Sequence, residues 1–279
     1  MFHVEQSNIH IETLDYFLTK EKFQLVKTSQ PGLLKTTPKP SKENINLYYA
    51  SKNYISHNNR NRGVFSFFYR LFRGLNFVYK LSFIKGVKQN ESVLDFGSGD
   101  GYFLNNLLKK GYSAFGVEPI KKSKEQNVYP SVFDNDLKKR SFKHITAWHS
   151  IEHVYDLKKT IKAMYDLLEE NGTLILAVPN YSSYDARHYK QYWAGFDVPR
   201  HLWHFDKKAV QEIFTKLGFS FVSSHPLLID SYYASLLSEK YKKSRLKTLR
   251  AFFVGTLSNL KAVFTKQYSS NIFVFKKLP

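Results

Sequence analysis

Residues 93–104 read VLDFGSGDGYFL, and the fold turns on this stretch. Val93, Leu94 and Phe96 make a short apolar run of the kind that fills a strand buried on both faces, and Asp95 interrupts it near its end. Gly97, Gly99 and Gly101 follow at every second position. Glycine is the residue that permits left-handed backbone in a tight turn and lets a ligand lie against bare main chain. The spacing then predicts a helix over 102–110, with Phe103, Leu104, Leu107 and Leu108 inward and Gly111 as its stop. A second strand, 112–117, runs into Glu118, whose carboxylate can accept hydrogen bonds from ribose hydroxyls. Strand, glycine turn, helix, strand and terminal acid together predict a nucleoside site.

The type of nucleoside is read from what is missing. A dinucleotide fingerprint, G-x-G-x-x-G, places its third glycine where this chain has Tyr102. The close approach that a pyrophosphate exploits is thereby lost, and a nicotinamide dinucleotide becomes the runner-up ligand.

Outward from this stretch the pattern is strand–helix alternation, which predicts an α/β fold. Phe68, Leu71, Phe72, Leu75, Val78 and Tyr79 recur at helical spacing before it, on a basic amphipathic segment within Phe65–Lys85. After it come a helical segment at 121–126, a brief third strand at 128–133 and a fourth at 144–148. Asp156 caps a helix ended by Asn171-Gly172, and 173–178 forms a fifth strand. Beyond the loop Pro179–Phe205, Asp206 caps a further helix, a sixth strand begins at Phe219, and 271–275 supplies the last. The expected architecture is a Rossmann-like, mostly parallel seven-stranded sheet with helices on both faces. Residues 1–62, carrying Pro31, Pro38 and Pro40, read as an N-terminal arm or small cap. Residues 63–279 read as the main domain, with a helical insertion over 231–265 before the last strand.

The series Asp95-x-Gly97-x-Gly99-x-Gly101 resembles motif I of class I S-adenosylmethionine (SAM)-dependent methyltransferases. AWHSIEHVYD (147–156) is similar to the segment after the fourth strand in the ubiquinone-biosynthesis branch of that family, and WAGFDVPRHLWHF (193–205) to bacterial members of unassigned substrate. The resemblance implies SAM as cofactor, with Asp95, Gly97, Gly99, Gly101 and Tyr102 around its methionine and sulfonium end. It implies Glu118 on the ribose, Asp134 or Asp136 near the adenine and His149 facing cofactor or acceptor. Relatives often carry a cysteine-rich arm that suggests zinc; this chain has no Cys, with Lys27, Thr28 and Gln30 around that place.

The expected activity is SAM-dependent methyl transfer to a small-molecule or lipid- or glycan-linked acceptor. The alternatives are an RNA or protein methyltransferase and a non-catalytic SAM-binding module. His149 and His201 are the candidate catalytic bases, and Tyr192, Trp193, Arg200 and His201 the candidate acceptor contacts. HSIEH (149–153) matches an inverted zinc-peptidase signature, but it starts at a strand end, where its two imidazoles diverge; no metal is expected.

Composition trims the choices. Absent cysteine excludes disulfides and thiolate chemistry, including the thiolate route to pyrimidine C5. The place after the fourth strand reads WHSIEH rather than the Asp/Asn-Pro-Pro-Tyr/Phe of base-amine methyltransferases, so nucleic acid is the lesser partner. Neither a signal sequence nor an apolar run of about 20 residues is present, which predicts a cytoplasmic protein. A net charge of +19, from 42 Lys+Arg against 23 Asp+Glu, suits anionic partners, including peripheral contact with the inner face of a membrane.

Overall fold

The computed structural model describes residues 8–49, 74–84, 91–119 and 127–278. The helical segment expected at 121–126, and the amphipathic segment before residue 74, lie outside them. Of that segment, 74–82 is helical, as its periodicity predicts.

A seven-stranded sheet organises the chain. Its members are β4 (Ser92–Phe96), β5 (Ser113–Val117), β6 (Val128–Tyr129), β7 (Phe142–Trp148), β8 (Leu168–Pro179), β10 (Phe219–Pro226) and β11 (Ser270–Lys277). They lie in the order β10-β11-β8-β7-β4-β5-β6. The ladders from β6 to β8 are parallel, and β11 runs antiparallel to both β8 and β10. The expected mostly parallel Rossmann-like sheet is thus observed.

Alternation within β4 explains why its residues Val93 and Leu94 are both apolar. Val93 belongs to the core on one face, with Phe77, Leu81 and Leu107, and Leu94 to the core on the other, with Ile161, Met164 and Phe214. The first face is covered by α1 (Tyr102–Lys109) and the 74–82 helix, the second by α2 (Leu157–Leu167) and α4 (Lys207–Lys216). Asp156 and Asp206 cap α2 and α4 as predicted, accepting from the amides of Lys159 and Ala209. Two local expectations change. α2 ends at Leu167, and Asn171-Gly172 instead occupies an irregularity at the start of β8, where Asn171 has φ 61°. The third strand shortens to two residues because the chain turns away at Pro130.

A second, four-stranded antiparallel sheet was not foreseen. It is built from β1 (Ile9–Leu14), β2 (Lys22–Lys27), β3 (Leu33–Thr37) and β9 (Trp203–Phe205), the last recruited from the long loop through Leu33↔Phe205 and Lys35↔Trp203. Phe23, Leu25 and Leu34 bury against Tyr189, Trp193, Phe196 and Val198 of that loop. Each such side chain removed from water contributes roughly 1.5–3 kcal/mol. The strands near the start and the loop therefore share one core.

Candidate active site

β4 and β7 are neighbours whose following connections leave on opposite sides, so a crevice opens beyond their carboxyl ends, where open α/β sheets bind ligands. The glycine turn lies there. Gly97, Gly99 and Gly101 have φ 72°, 57° and 75°, values that a side chain would strain. A Cβ at Gly97 would stand 2.4 Å from Ser150 Cβ, because Ser150 tucks beneath the turn and donates to the Phe96 carbonyl at 2.9 Å. At Gly99 no atom lies within 4 Å of the corresponding point, so the turn faces open space. Glu118, half-buried at the end of β5, accepts from the Gly99 amide at 2.8 Å and borders the same space. A bare, open backbone with a carboxylate beside it fits a nucleoside ligand. Below it Asp95 is buried and accepts from the Thr146 hydroxyl at 2.8 Å. Burial pushes its carboxyl up to about 7, the hydroxyl only partly opposing this.

His149 follows β7 in left-handed backbone (φ 50°) and sits immediately before Ser150. Its Nε2 lies 2.9 Å from Asp230 Oδ2 and its Nδ1 3.5 Å from Glu152 Oε1. Burial opposes the charged ring, but the two carboxylates prevail and raise its pKa to about 9. At neutral pH it is an imidazolium, a hydrogen-bond donor.

His149 also forms part of the wall of a cavity of about 1340 Å³. The cavity brings together all the acceptor candidates: Tyr192, Trp193, Arg200 and His201 line it. Their engagements differ. Tyr192 packs its ring at 5.2 Å from Tyr16. Trp193 is buried and donates to Asp185 at 2.8 Å. Arg200 spends its guanidinium on the protein, bonding Asp197 at 2.7 Å, Asp15 at 2.9 Å and the Tyr48 carbonyl at 3.0 Å. His201 Nδ1 is 3.0 Å from the Gly195 carbonyl, to which it donates, and Nε2 lies 4.0 Å from carboxylate oxygens of Glu152 and Asp197.

A family model described as a methyltransferase domain matches residues 66–224. The chain belongs to this methyltransferase family. Among curated proteins no match was found. Of solved structures, a chain from the complex of a Haloferax volcanii methyltransferase with its Trm112 activator is 14% identical over 73% of this chain and 90% of its own, with a TM-score of 0.52. Phosphoethanolamine N-methyltransferase 2 of Haemonchus contortus is 17% identical over 73% of this chain, with a TM-score of 0.49; the match spans 52% of that protein's length. A SAM-dependent methyltransferase of Archaeoglobus fulgidus is 19% identical over 77% of this chain and all of its own, with a TM-score of 0.48. At such identities the Haloferax likeness speaks for the fold, which agrees with the family. The expected enzyme class and its SAM cofactor stand with the family.

Within this methyltransferase two further expected cofactor contacts have partners of their own. Asp136 is exposed on a turn and pairs with Lys139 at 2.7 Å. Tyr102 begins α1 and packs its ring edge-on to Phe77 at 6.1 Å. Among the described residues one cluster has metal-ligand chemistry: Glu152, His153 and His201 offer donor atoms within 4.8 Å of one another. Glu152 is wholly buried, and burial holds the His153 ring neutral, its pKa near about 4.

Several residues of the site had no local signal. Asp230, the partner of His149, reads in sequence as an ordinary first-turn acid of a helix. Tyr16, Phe17 and Lys20 reach the cavity from the β1–β2 turn. Lys240, Lys242 and Lys243 reach it from the end of α5 (Leu228–Tyr241). Only the excess of basic residues hinted at such a lining.

Proposed function

We propose that the protein transfers a methyl group from SAM to a small-molecule or lipid- or glycan-linked acceptor held in the cavity. The supporting observation is the junction at His149–Ser150: Ser150 packs beneath the glycine turn while His149 forms the cavity wall, so donor and acceptor spaces adjoin. In this reading residues 63–279 form the catalytic domain, 1–62 contribute the cap, and the 231–265 insertion closes one side. The reaction is assigned to the cytoplasm.

When bound, SAM supplies a methyl group already activated on a sulfonium. The chain's part is alignment and exclusion of water, worth about 7–11 kcal/mol in well-positioned systems. The backbone of Gly97–Gly101 holds the methionine portion, Asp95 sits beneath it, and Glu118 exchanges its bond to Gly99 for the ribose hydroxyls. Asp136 is kept as the adenine contact. The imidazolium of His149, with Nε2 on Asp230 and Nδ1 on Glu152, is held as a fixed charged wall beside which the acceptor is oriented. His201 would stand as the base that takes the acceptor's proton during transfer, SAM supplying the methyl group when bound.

Calorimetric titration with SAM, beside Asp95→Ala and a NADH control, is the direct test. Saturable SAM binding, lost in the variant and absent with NADH, is expected. Folded protein that binds no SAM would overturn the reading.

A further inference from the structure

Surface helices ordinarily turn large apolar residues inward and polar ones outward. α6 (Lys247–Thr265) does the reverse. Its buried positions are Ala251, Gly255, Ser258 and Ala262, small residues at helical spacing. They face α5, which buries Ser231, Ser235 and Ser238, and α3 (Tyr184–Tyr189), where Ser258 donates to Asp185 at 2.7 Å. The fit is close: Ser231 donates to the Gly255 carbonyl, and a Cβ on Gly255 would meet the Tyr232 ring at 2.7 Å. The opposite side of α6 carries Leu249, Phe252, Phe253, Leu257, Leu260, Val263 and Phe264, all exposed, Phe253 by 62% and Phe264 by 87%. Small residues at the helix contact and large apolar residues outside is how helices pair where the outer medium is lipid.

Charge runs the same way. No Asp or Glu follows Glu239, while Lys240–Lys266 holds eight Lys and Arg, every one exposed. Among the described residues no helix is long and apolar enough to cross a membrane, and Lys247, Arg250 and Lys261 break the apolar face of α6. A helix with one apolar side and basic flanks lies in the interface of a bilayer rather than through it.

We infer that the outer face of α6, with the α5–α6 turn, is a docking surface for an anionic lipid bilayer. This face is distinct from the Phe65–Lys85 segment that the sequence suggests, and the inference stands independently of the methyl-transfer reading. A second copy of the chain is a poorer occupant, since two-fold pairing would set eight like charges against eight. A nucleic acid would use the charges but leave Leu249, Leu257, Leu260 and Val263 without a role. Lys240, Lys242 and Lys243 belong both to this basic rim and to the cavity lining, so the docked protein presents its cavity to the membrane surface.

The test is co-sedimentation of the full chain with vesicles of phosphatidylcholine alone or mixed with phosphatidylglycerol, in low and high salt. Binding that requires phosphatidylglycerol and weakens with salt is expected. The triple variant Phe253→Ser, Leu260→Ser, Phe264→Ser is expected to bind at least about tenfold more weakly, while its melting and its SAM titration match the wild type. Should that variant fold poorly, Phe264→Ser alone is expected to show a smaller loss in the same direction. Indifference to phosphatidylglycerol, or full binding by the variants, overturns the proposal. So does a wild-type dimer in ultracentrifugation that the triple variant converts to monomer, or duplex RNA binding that the variant loses in parallel.

Discussion

At Asp95 burial holds the carboxyl near about 7 in the fold, against 3.8 for the ordinary side chain. A raised carboxyl contributes stability that is complete below the unfolded value and lost as pH rises through the folded one. Asp95→Asn is therefore expected to match wild-type melting near about pH 4 and to exceed it by about 1–3 kcal/mol near about pH 8. Thermal unfolding across that range checks it. The triad Asp230–His149–Glu152 follows the same direction at its alkaline end, at higher pH. With His149 raised to about 9, its contribution is intact below its ordinary 6.5 and disappears as pH climbs through the folded value. Glu152, buried yet held below its ordinary 4.5 by His149, loses its contribution as pH falls through the acid range. Asp230→Asn is expected to move His149 down toward 6.5 in an NMR titration and to flatten the alkaline loss of stability. Asp95, the glycines and Glu118 were legible because one short stretch of chain carries the whole strand–turn–helix signal. Asp230 was not, because its partner stands eighty-one positions away and nothing local distinguishes it from a helix-start acid.

At the scale of elements the glycine turn makes a prediction that differs from one glycine to the next. Gly97→Ala must push a methyl group into Ser150, so it is expected to cost about 2–4 kcal/mol of stability, read by denaturant unfolding. Gly99→Ala meets open space and is expected to cost only about 1 kcal/mol of backbone strain while removing most SAM affinity, read by calorimetry. Equal stability losses at the two positions would contradict this geometry. The loop after β8 offers a second contrast. Arg200→Ala leaves Asp15 wholly buried without its cation, and a loss of about 3–5 kcal/mol is expected, visible as a lowered melting temperature before any acceptor is added. The α/β elements could be read from periodicity because each buries residues near in sequence. β9 could not: three residues become a strand only because β3, far earlier in the chain, supplies the other half of its ladder.

For the whole molecule, whose net charge is +19, the cavity lining includes Lys20, Lys240, Lys242 and Lys243 beside Asp197 and Asp230. Among candidate acceptors tested with labelled methyl groups, anionic ones are expected to have the lower KM, and added salt to raise it. A preference for cationic acceptors would contradict that assignment. The ladder between β3 and β9 ties together two distant stretches of chain by backbone pairing, which does not depend on side-chain identity, and residues of both stretches line the cavity. Libraries meant to test the proposed acceptor cavity should therefore vary the β1–β2 turn and residues 192–201 together while leaving both strands untouched.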